Sequence, residues 1–564
     1  MSTTALSPES LKLTALLDEA LDVFFKQNPI EGGLLDYPKY RDEIFDMTNQ
    51  DQFVSDFNRI SGELDALDQS ALCEQERDLI VLTKCIIHSS VLETRLYTRK
   101  DMPCSHMIGT IASLWMMMDH LSPFKTGKDI ENFRSRLLKI SPRMDQVIDG
   151  FRLGIKSGIT LPARSIDLII ESCDAYAGED PAENPWNLSK QALAAGHPED
   201  YFIDAIRTSV IPAHNKFKAF LRDEYRAHAR KNDGLHGIPG SADIYASYIE
   251  YNTDSKVSAE ELHATGVKLV ARIAKEMEDT IAKIGFKGTI KEFNAELSNK
   301  ETYPQLYIDS TAEVIPRYQE IVEIINAKMP QFFSKFPKQK CLIEAVPPHM
   351  QGNAPEAMYF PGTKEKPGRF MINLRLYENR PTCGMRALTV HEAVPGHHHQ
   401  VSLALEREVP HDICKIVHST AWSEGWGLYC ETLGSEMGMY EDPFHYYGRL
   451  QLEIHRAVRL VVDTGLHAYG WSIEKVKETM AAYLPISDAA LESEAVRYAS
   501  LPGQALAYKV GEIRLHEMRK LATDKLGNAF DVREFHDLLM SQGDAPLPYF
   551  QTKVEKWIAQ KMEA

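Results

Sequence analysis

The chain has 564 residues, with 63 Lys and Arg set against 80 Asp and Glu, giving a formal net charge of −17. That acidic balance argues against nucleic acid or an anionic membrane as the main partner, and no run of about 18 apolar residues is present to cross a bilayer. At about 150 residues per domain the length suggests three or four domains, although a helical enzyme of this size can also form one two-lobed body with a sizeable core and a deep cleft.

The first ten residues, Met1 to Ser10, show neither a basic nor an apolar leader region, so a cytoplasmic location is expected. Cys73, Cys85, Cys104, Cys173, Cys341, Cys383, Cys414 and Cys430 are scattered without a C-x-x-C pair, which points to a reduced compartment.

Residues 1–335 read as a mostly helical N-terminal lobe. The apolar spacing of Val81 to Glu93 predicts a packed helix, and Phe133 to Ile140 an amphipathic one. His88, His106 and His120 have no acidic or thiol partner at helical spacing and read as core or surface histidines. Pro and Gly mark loops over 175–186 and 231–241. Ser258 and Glu261 form a capping-box pattern; after them Leu262, Leu269, Val270, Ile273, Met277 and Ile281 fall on one stripe, which predicts a helix start.

Composition changes near residue 336, where a second lobe, 336–564, is expected to carry the chemistry. Cys341–Val346, Ala357–Phe360 and Gly368–Leu374 are short and β-prone, and predict a small antiparallel sheet. Then come His391-Glu392, Pro395-Gly396-His397-His398-His399-Gln400 and Glu424-Gly425-Trp426. Two imidazoles and a carboxylate, with water completing the coordination, are the donor set of a hydrolytic zinc site. Glu392, beside a ligand but pointing elsewhere, can take a proton from the attacking water and pass it to the leaving group.

His391 and His397 stand six apart, ~240° around an ideal helix, so a regular helix cannot aim both at one ion. Pro395-Gly396 offers a widened or π-bulged turn that returns His397 to the face of His391. The alternative is a helix that stops at Pro395 with three loop histidines beyond it.

His-Glu-x-x-Pro-Gly-His-His-x-Gln followed by Glu-Gly-Trp-x-x-Tyr-x-Glu resembles the bacterial family catalogued as domain of unknown function 885, whose members look like zincins of the Glu-ligand type. The resemblance covers about residues 240 to 560 with specific motifs. It implies a mostly α-helical, two-lobed zincin-like body, with Zn²⁺ held by His391, His397 and Glu424 and with Glu392 as base. His398 matches the family pattern; His399 replaces a more usual aliphatic residue, so the three adjacent imidazoles stay open as alternatives. Glu431 closes the second motif, and with His398 is a candidate supporting residue. The resemblance also suggests that the strand around Phe370 to Asn373 holds an extended substrate by its edge; an ordinary structural hairpin is the other reading. Asn252 stands where the family commonly has a His, and His263 reads as packing or as functional by analogy.

Arg456, Asp463 and His467 are spaced seven and four apart, so Asp463 either orients a ligand imidazole or pairs with His467. Arg497-Tyr498 and Gln504, Tyr508-Lys509 close the pattern. An oxyanion needs a donor, for which Tyr508 and Tyr498 are candidates, and Arg497, Lys509 and Gln504 are candidates to hold a substrate, the two cations its carboxylate. The expectation is zinc-dependent hydrolysis of a peptide or amide bond in short peptides, by removal of one or two residues from the C-terminal end. A small-molecule amide hydrolase of a biosynthetic pathway and a non-catalytic zinc-stabilised scaffold are the rival classes.

Overall fold

Ser7 accepts a hydrogen bond from Ser10 N at 3.0 Å and so caps the first helix, Pro8–Gln27, whose leading proline occupies a position where no donor is needed. The structure is a computed structural model that describes residues 7–348, 351, 355–363, 366–375 and 377–563. It is mostly helical, with one small sheet. By contact the chain divides into two compact units: Met1–Ser247 with Val409–Val417 and Ala499–Leu501, and Tyr248–Glu408 with His418–Tyr498 and Pro502–Ala564.

The first unit is built on the helix Gly127–Ser157, which starts at a reciprocal Thr126–Asp129 capping box and stops at Gly158. Phe133, Leu137, Ile140, Met144 and Phe151 form its buried face, each contributing about 1.5–3 kcal/mol of burial as an upper estimate. Pro142 lies inside this helix and lacks the N–H that Leu138 O would accept. Ser209 repairs the gap: its Oγ donates to Leu138 O at 3.1 Å and accepts from Ser141 N at 3.1 Å. The segment expected to be a packed helix lies within Glu74–Leu96.

The second unit opens with the helix expected at Ser258. Ser258 Oγ accepts from Glu261 N at 3.1 Å, Ala259–Ile284 follows, and Leu262, Val270, Ile273, Met277 and Ile281 are buried. This helix packs along Pro443–His467, where His263 Nδ1 meets Thr464 Oγ1 at 2.7 Å and its ring lies edge-on to Tyr469 and Trp471. Asn252 donates to Tyr248 O and Pro502 O, a structural role.

The sheet has β1 (Leu342–Ala345), β2 (Ala357–Phe360) and β3 (Arg369–Ile372) in the order β1-β3-β2. It is mixed rather than antiparallel, since β1 runs parallel to β3 and only β2 is antiparallel to it. This also corrects the edge-strand expectation. β3, which contains Phe370, is the central strand and its main-chain groups are paired on both sides, leaving none for a substrate. Phe370, Met371 and Ile372 are all buried, and that unbroken apolar run is the mark of a strand covered on both faces. β2 is the edge that lies against the His391 helix.

Candidate metal centre

The helix Met385–Glu392 ends one residue after His391, and a new helix, His397–Glu406, begins with His397. The expected widened turn is instead a full break over 393–396, in which Val394–Pro395 is cis. Gly396 N donates back to Val390 O at 3.0 Å and His398 N to Ala393 O at 3.1 Å, so bonds across six and five residues span the break where a helix uses four. A Cβ on residue 396 would lie 1.8 Å from His391 O, which makes glycine obligatory there. Trp426 Nε1 donates to Pro395 O at 2.9 Å and pins the break. His397 thereby returns to His391, with ring centroids 4.8 Å apart and planes at 89°.

Glu424 comes from the helix Thr420–Glu436, which Ser419 caps by accepting from Trp422 N at 3.0 Å. Its Oε2 is 3.7 Å from Nε2 of both histidines, and one donor atom from each of the three residues lies within 4.8 Å of the others. Tetrahedral Zn²⁺ at ~2.0–2.1 Å from N and O ligands separates its donors by ~3.4 Å, so this set fits such an ion with small adjustments. His398 and His399 face elsewhere. His398 Nε2 meets Gln339 O at 3.1 Å and its Nδ1 meets Tyr359 Oη at 3.3 Å, beside β2. His399 is fully buried against Phe333.

Glu431, two turns after Glu424 and on the same face, places Oε1 2.8 Å from His391 Nδ1. Accepting a hydrogen bond from Nδ1–H leaves Nε2 with its free lone pair toward the centre. Arg456 Nη2 stands 3.6 Å from the same carboxylate oxygen. Burial alone raises the Glu431 carboxyl, but the Arg456 charge and the His391 bond outweigh it and hold it low. Burial lowers His391, yet its bonds to Glu424 and Glu431 carry it up to about 9. Glu424, opposed by burial, is held well below the usual carboxylate range by His391 and His397. Two acidic residues thus converge on one imidazole, an arrangement that invites a cation.

Glu392 is half-buried beside His391. Its charge reaches Cys341, whose thiol is pushed up to about 12 mainly by burial and partly by Glu392.

The helix Gln504–Leu526 crosses the Glu424 helix at Gly511 and Gly425, where a Cβ on Gly511 would lie 2.0 Å from Ala421 O. Tyr508, one turn before that crossing, is raised by burial first and next by the charge of Glu424. Tyr498 is placed differently: its hydroxyl is engaged by Arg459 Nε at 3.0 Å, by His455 Nε2 at 3.2 Å and by Glu494. Arg497 bonds Glu494 through Nε and Nη2 at 3.2 Å each and Gln504 Oε1 through Nη1 at 2.9 Å. Lys509 is buried between Glu453 at 3.1 Å and Glu512 at 2.5 Å, so its charge is already matched within the core. Asp463 accepts from Gly503 N at 3.1 Å, and His467 Nε2 meets Tyr498 O at 3.0 Å; both bear on the 498–503 turn. Sequence reading overlooked Arg459 and Gly427, the latter signalled only by a glycine three residues after Glu424.

Fold and donor set define a mostly helical protein with a two-histidine, one-glutamate candidate metal centre. Residues 32–554 match the bacterial family of proteins of unknown function DUF885, and the chain belongs to that family. A structure from Colwellia psychrerythraea described as a "putative lipoprotein" is similar, with 26% identity, a TM-score of 0.87, and 98% of this chain and 100% of that one covered. One from Shewanella oneidensis, described as a "putative lipoprotein of unknown function", has 15% identity, a TM-score of 0.75 and coverage of 96% and 99%, and shares the fold. A structure from Bacillus anthracis str. Ames described as a "putative oligoendopeptidase F" has 13% identity and a TM-score of only 0.30, over 100% of this chain and 98% of that one. No curated protein sequence matches. Among the described residues no helix is long and apolar enough to cross a membrane.

Proposed function

We propose that the protein is a zinc-dependent hydrolase of peptide or amide bonds in short peptides, with the Glu-ligand zincin pattern. The observation that carries this reading is the convergence of His391, His397 and Glu424 donor atoms within 4.8 Å, next to a carboxylate, Glu392, that is not among them. Three protein donors leave a position open, whereas structural zinc sites are usually closed by four, and this favours turnover over a scaffold. A zinc ion held there would supply Lewis acidity and make an attacking water more acidic.

The chain's own residues do the rest. Glu392 takes the proton of the attacking water and delivers it to the leaving nitrogen. Glu431 fixes the His391 tautomer, and Tyr508, near Glu424, donates to the oxyanion. His391 is 2% exposed and the His397 and Glu424 side chains are 12% and 21% exposed, so a flexible chain can reach the centre and a folded domain cannot. The edge strand β2 beside the His391 helix is the place for an extended substrate.

The eight free thiols suit a reducing compartment, and we place the protein in the cytoplasm. The lipoprotein descriptions of similar structures favour the cell envelope instead, and fractionation decides between them. The function itself is tested by incubating the purified protein with a library of short peptides and reading the products by mass spectrometry. Cleavage that stops on chelation and returns with zinc is expected; no cleavage of any peptide by zinc-loaded protein refutes the reading.

A further inference from the structure

Beside Tyr508 lies a group of charges that the hydrolytic reading does not use. Arg459 and Arg497 both bond the single carboxylate of Glu494, so two positive charges meet one negative charge. Two further titratable groups face Glu494 and add no charge at neutral pH: His455, lowered to about 4 chiefly by burial, and Tyr498, raised to about 12 chiefly by burial. Arg459 is 8% exposed; its Nε is taken by Tyr498 and its Nη2 by Glu494, while Nη1 has no hydrogen-bond partner. Among the described residues it is the one fully enclosed terminal guanidinium nitrogen left so. A buried charged donor without an acceptor costs stability unless something supplies one.

Arg497 has all three nitrogens bonded but lies more open. Its Nη1 donates to the neutral amide oxygen of Gln504, and the side chain is 21% exposed. A carboxylate arriving there replaces a neutral acceptor by a charged one and adds the second negative charge that the two guanidinium groups lack. The position suits a peptide end. Arg459 Cζ lies 4.5 Å from the centroid of the Tyr508 ring, and Tyr508 is the residue that feels the charge of Glu424.

We propose that Arg459 and Arg497 form a carboxylate subsite beside Tyr508 that holds the free C-terminus of a peptide. An incoming carboxylate takes Arg497 Nη1 from Gln504, the enclosed Arg459 adds its charge from behind, and Glu494 keeps both guanidinium groups in place. Its use in cleavage rests on the hydrolytic reading; the preference for a carboxylate does not.

The test is binding without turnover. Tri-alanine as the free acid and as the C-terminal amide is titrated calorimetrically into the full-length Glu392→Gln protein. The amide is expected to bind about tenfold weaker or more, the worth of one charge-assisted hydrogen bond. Adding Arg497→Gln or Arg459→Gln is expected to shrink that ratio to within about threefold. If the buried Arg459→Gln variant does not fold, the partly exposed Arg497→Gln decides. Equal affinity for acid and amide in the parent overturns the subsite, as does absence of binding by both. A ratio that survives the arginine changes also overturns it, and so does a loss that falls equally on both peptides. Failure of the zinc-loaded wild-type protein to cut any peptide refutes the hydrolytic reading alone, because the acid-to-amide ratio is still measured.

Discussion

Glu431 Oε1 lies 2.8 Å from His391 Nδ1, and both side chains are buried. The carboxylate is seven residues beyond Glu424 on the same helix, so one helical face presents both a candidate ligand and the group that orients another ligand. Arg456 behind it keeps Glu431 ionised.

The Glu431→Gln variant keeps an acceptor for Nδ1 but removes the charge that makes His391 a better donor. Zinc affinity is expected to fall by about tenfold, toward 100-fold for Glu431→Leu, which removes the acceptor as well. Competition against a chelating dye measures it, and unchanged affinity in both variants removes Glu431 from the site.

Zinc itself is expected at about one ion per chain. Elemental analysis should find it lost in His391→Ala, His397→Ala and Glu424→Ala and retained in His398→Ala, whose ring is bonded to Gln339 O instead. Full occupancy in the first three variants refutes the assignment.

Much of this centre was legible in the sequence, because ligand types, order and a Pro-Gly interruption are local information. The donors His391, His397 and Glu424 do converge in the structure. What the sequence did not show is how the interruption works. Spacing suggested a widened turn, while the structure breaks the helix after Glu392 and restarts it at His397, with Trp426 holding Pro395 from another helix. That support is tertiary and has no local signature. The sheet failed for a related reason: short β-prone segments do not state their pairing partners, and the strand around Phe370 expected at the edge is the central one. Lys509 resembled a ligand-binding cation, but it is enclosed between Glu512, three residues on in the same helix and open to a local rule, and Glu453, which comes from another helix and has no local signature.

Gly427 tests the tertiary fit directly. A Cβ there would lie 2.6 Å from His391 Cε1 and 2.9 Å from Nε2. Gly427→Ala is expected to displace the ring and weaken zinc by about tenfold or more, as loss of ligand support does. Gly384→Ala, where a Cβ meets nothing within 4 Å, is the control. Equal zinc affinity in both variants contradicts the packing described.

Chemistry is separated from binding by Glu392→Gln. Side-chain size is preserved and the base is lost, so zinc content should stay at the wild-type level while turnover falls by about 10² or more. Hydrolysis at the wild-type rate assigns the proton transfer to another group.

The cap of the Glu424 helix, Ser419, rests on a carboxylate whose charge depends on pH. Asp254, at φ 51°, accepts from Ser419 Oγ at 2.5 Å and from Leu547 N at 3.0 Å. Burial raises its carboxyl to about 6; the Ser419 and Leu547 bonds pull it down, Asp544 pushes it up and His418 opposes that. In the unfolded chain an Asp titrates near ~3.9. Between ~4 and ~6 the native state therefore binds more protons than the unfolded one, so this group's contribution to stability falls as pH rises through that window. Asp254→Asn removes the titration, keeps an oxygen that can accept from both donors and tolerates the left-handed backbone. The melting temperature of the variant relative to wild type should thus rise from pH 4 to pH 6 and level off above it, by an amount equivalent to at most about 3 kcal/mol. A difference that is flat across pH 4–7 shows that Asp254 titrates in the folded protein as it does in the unfolded chain.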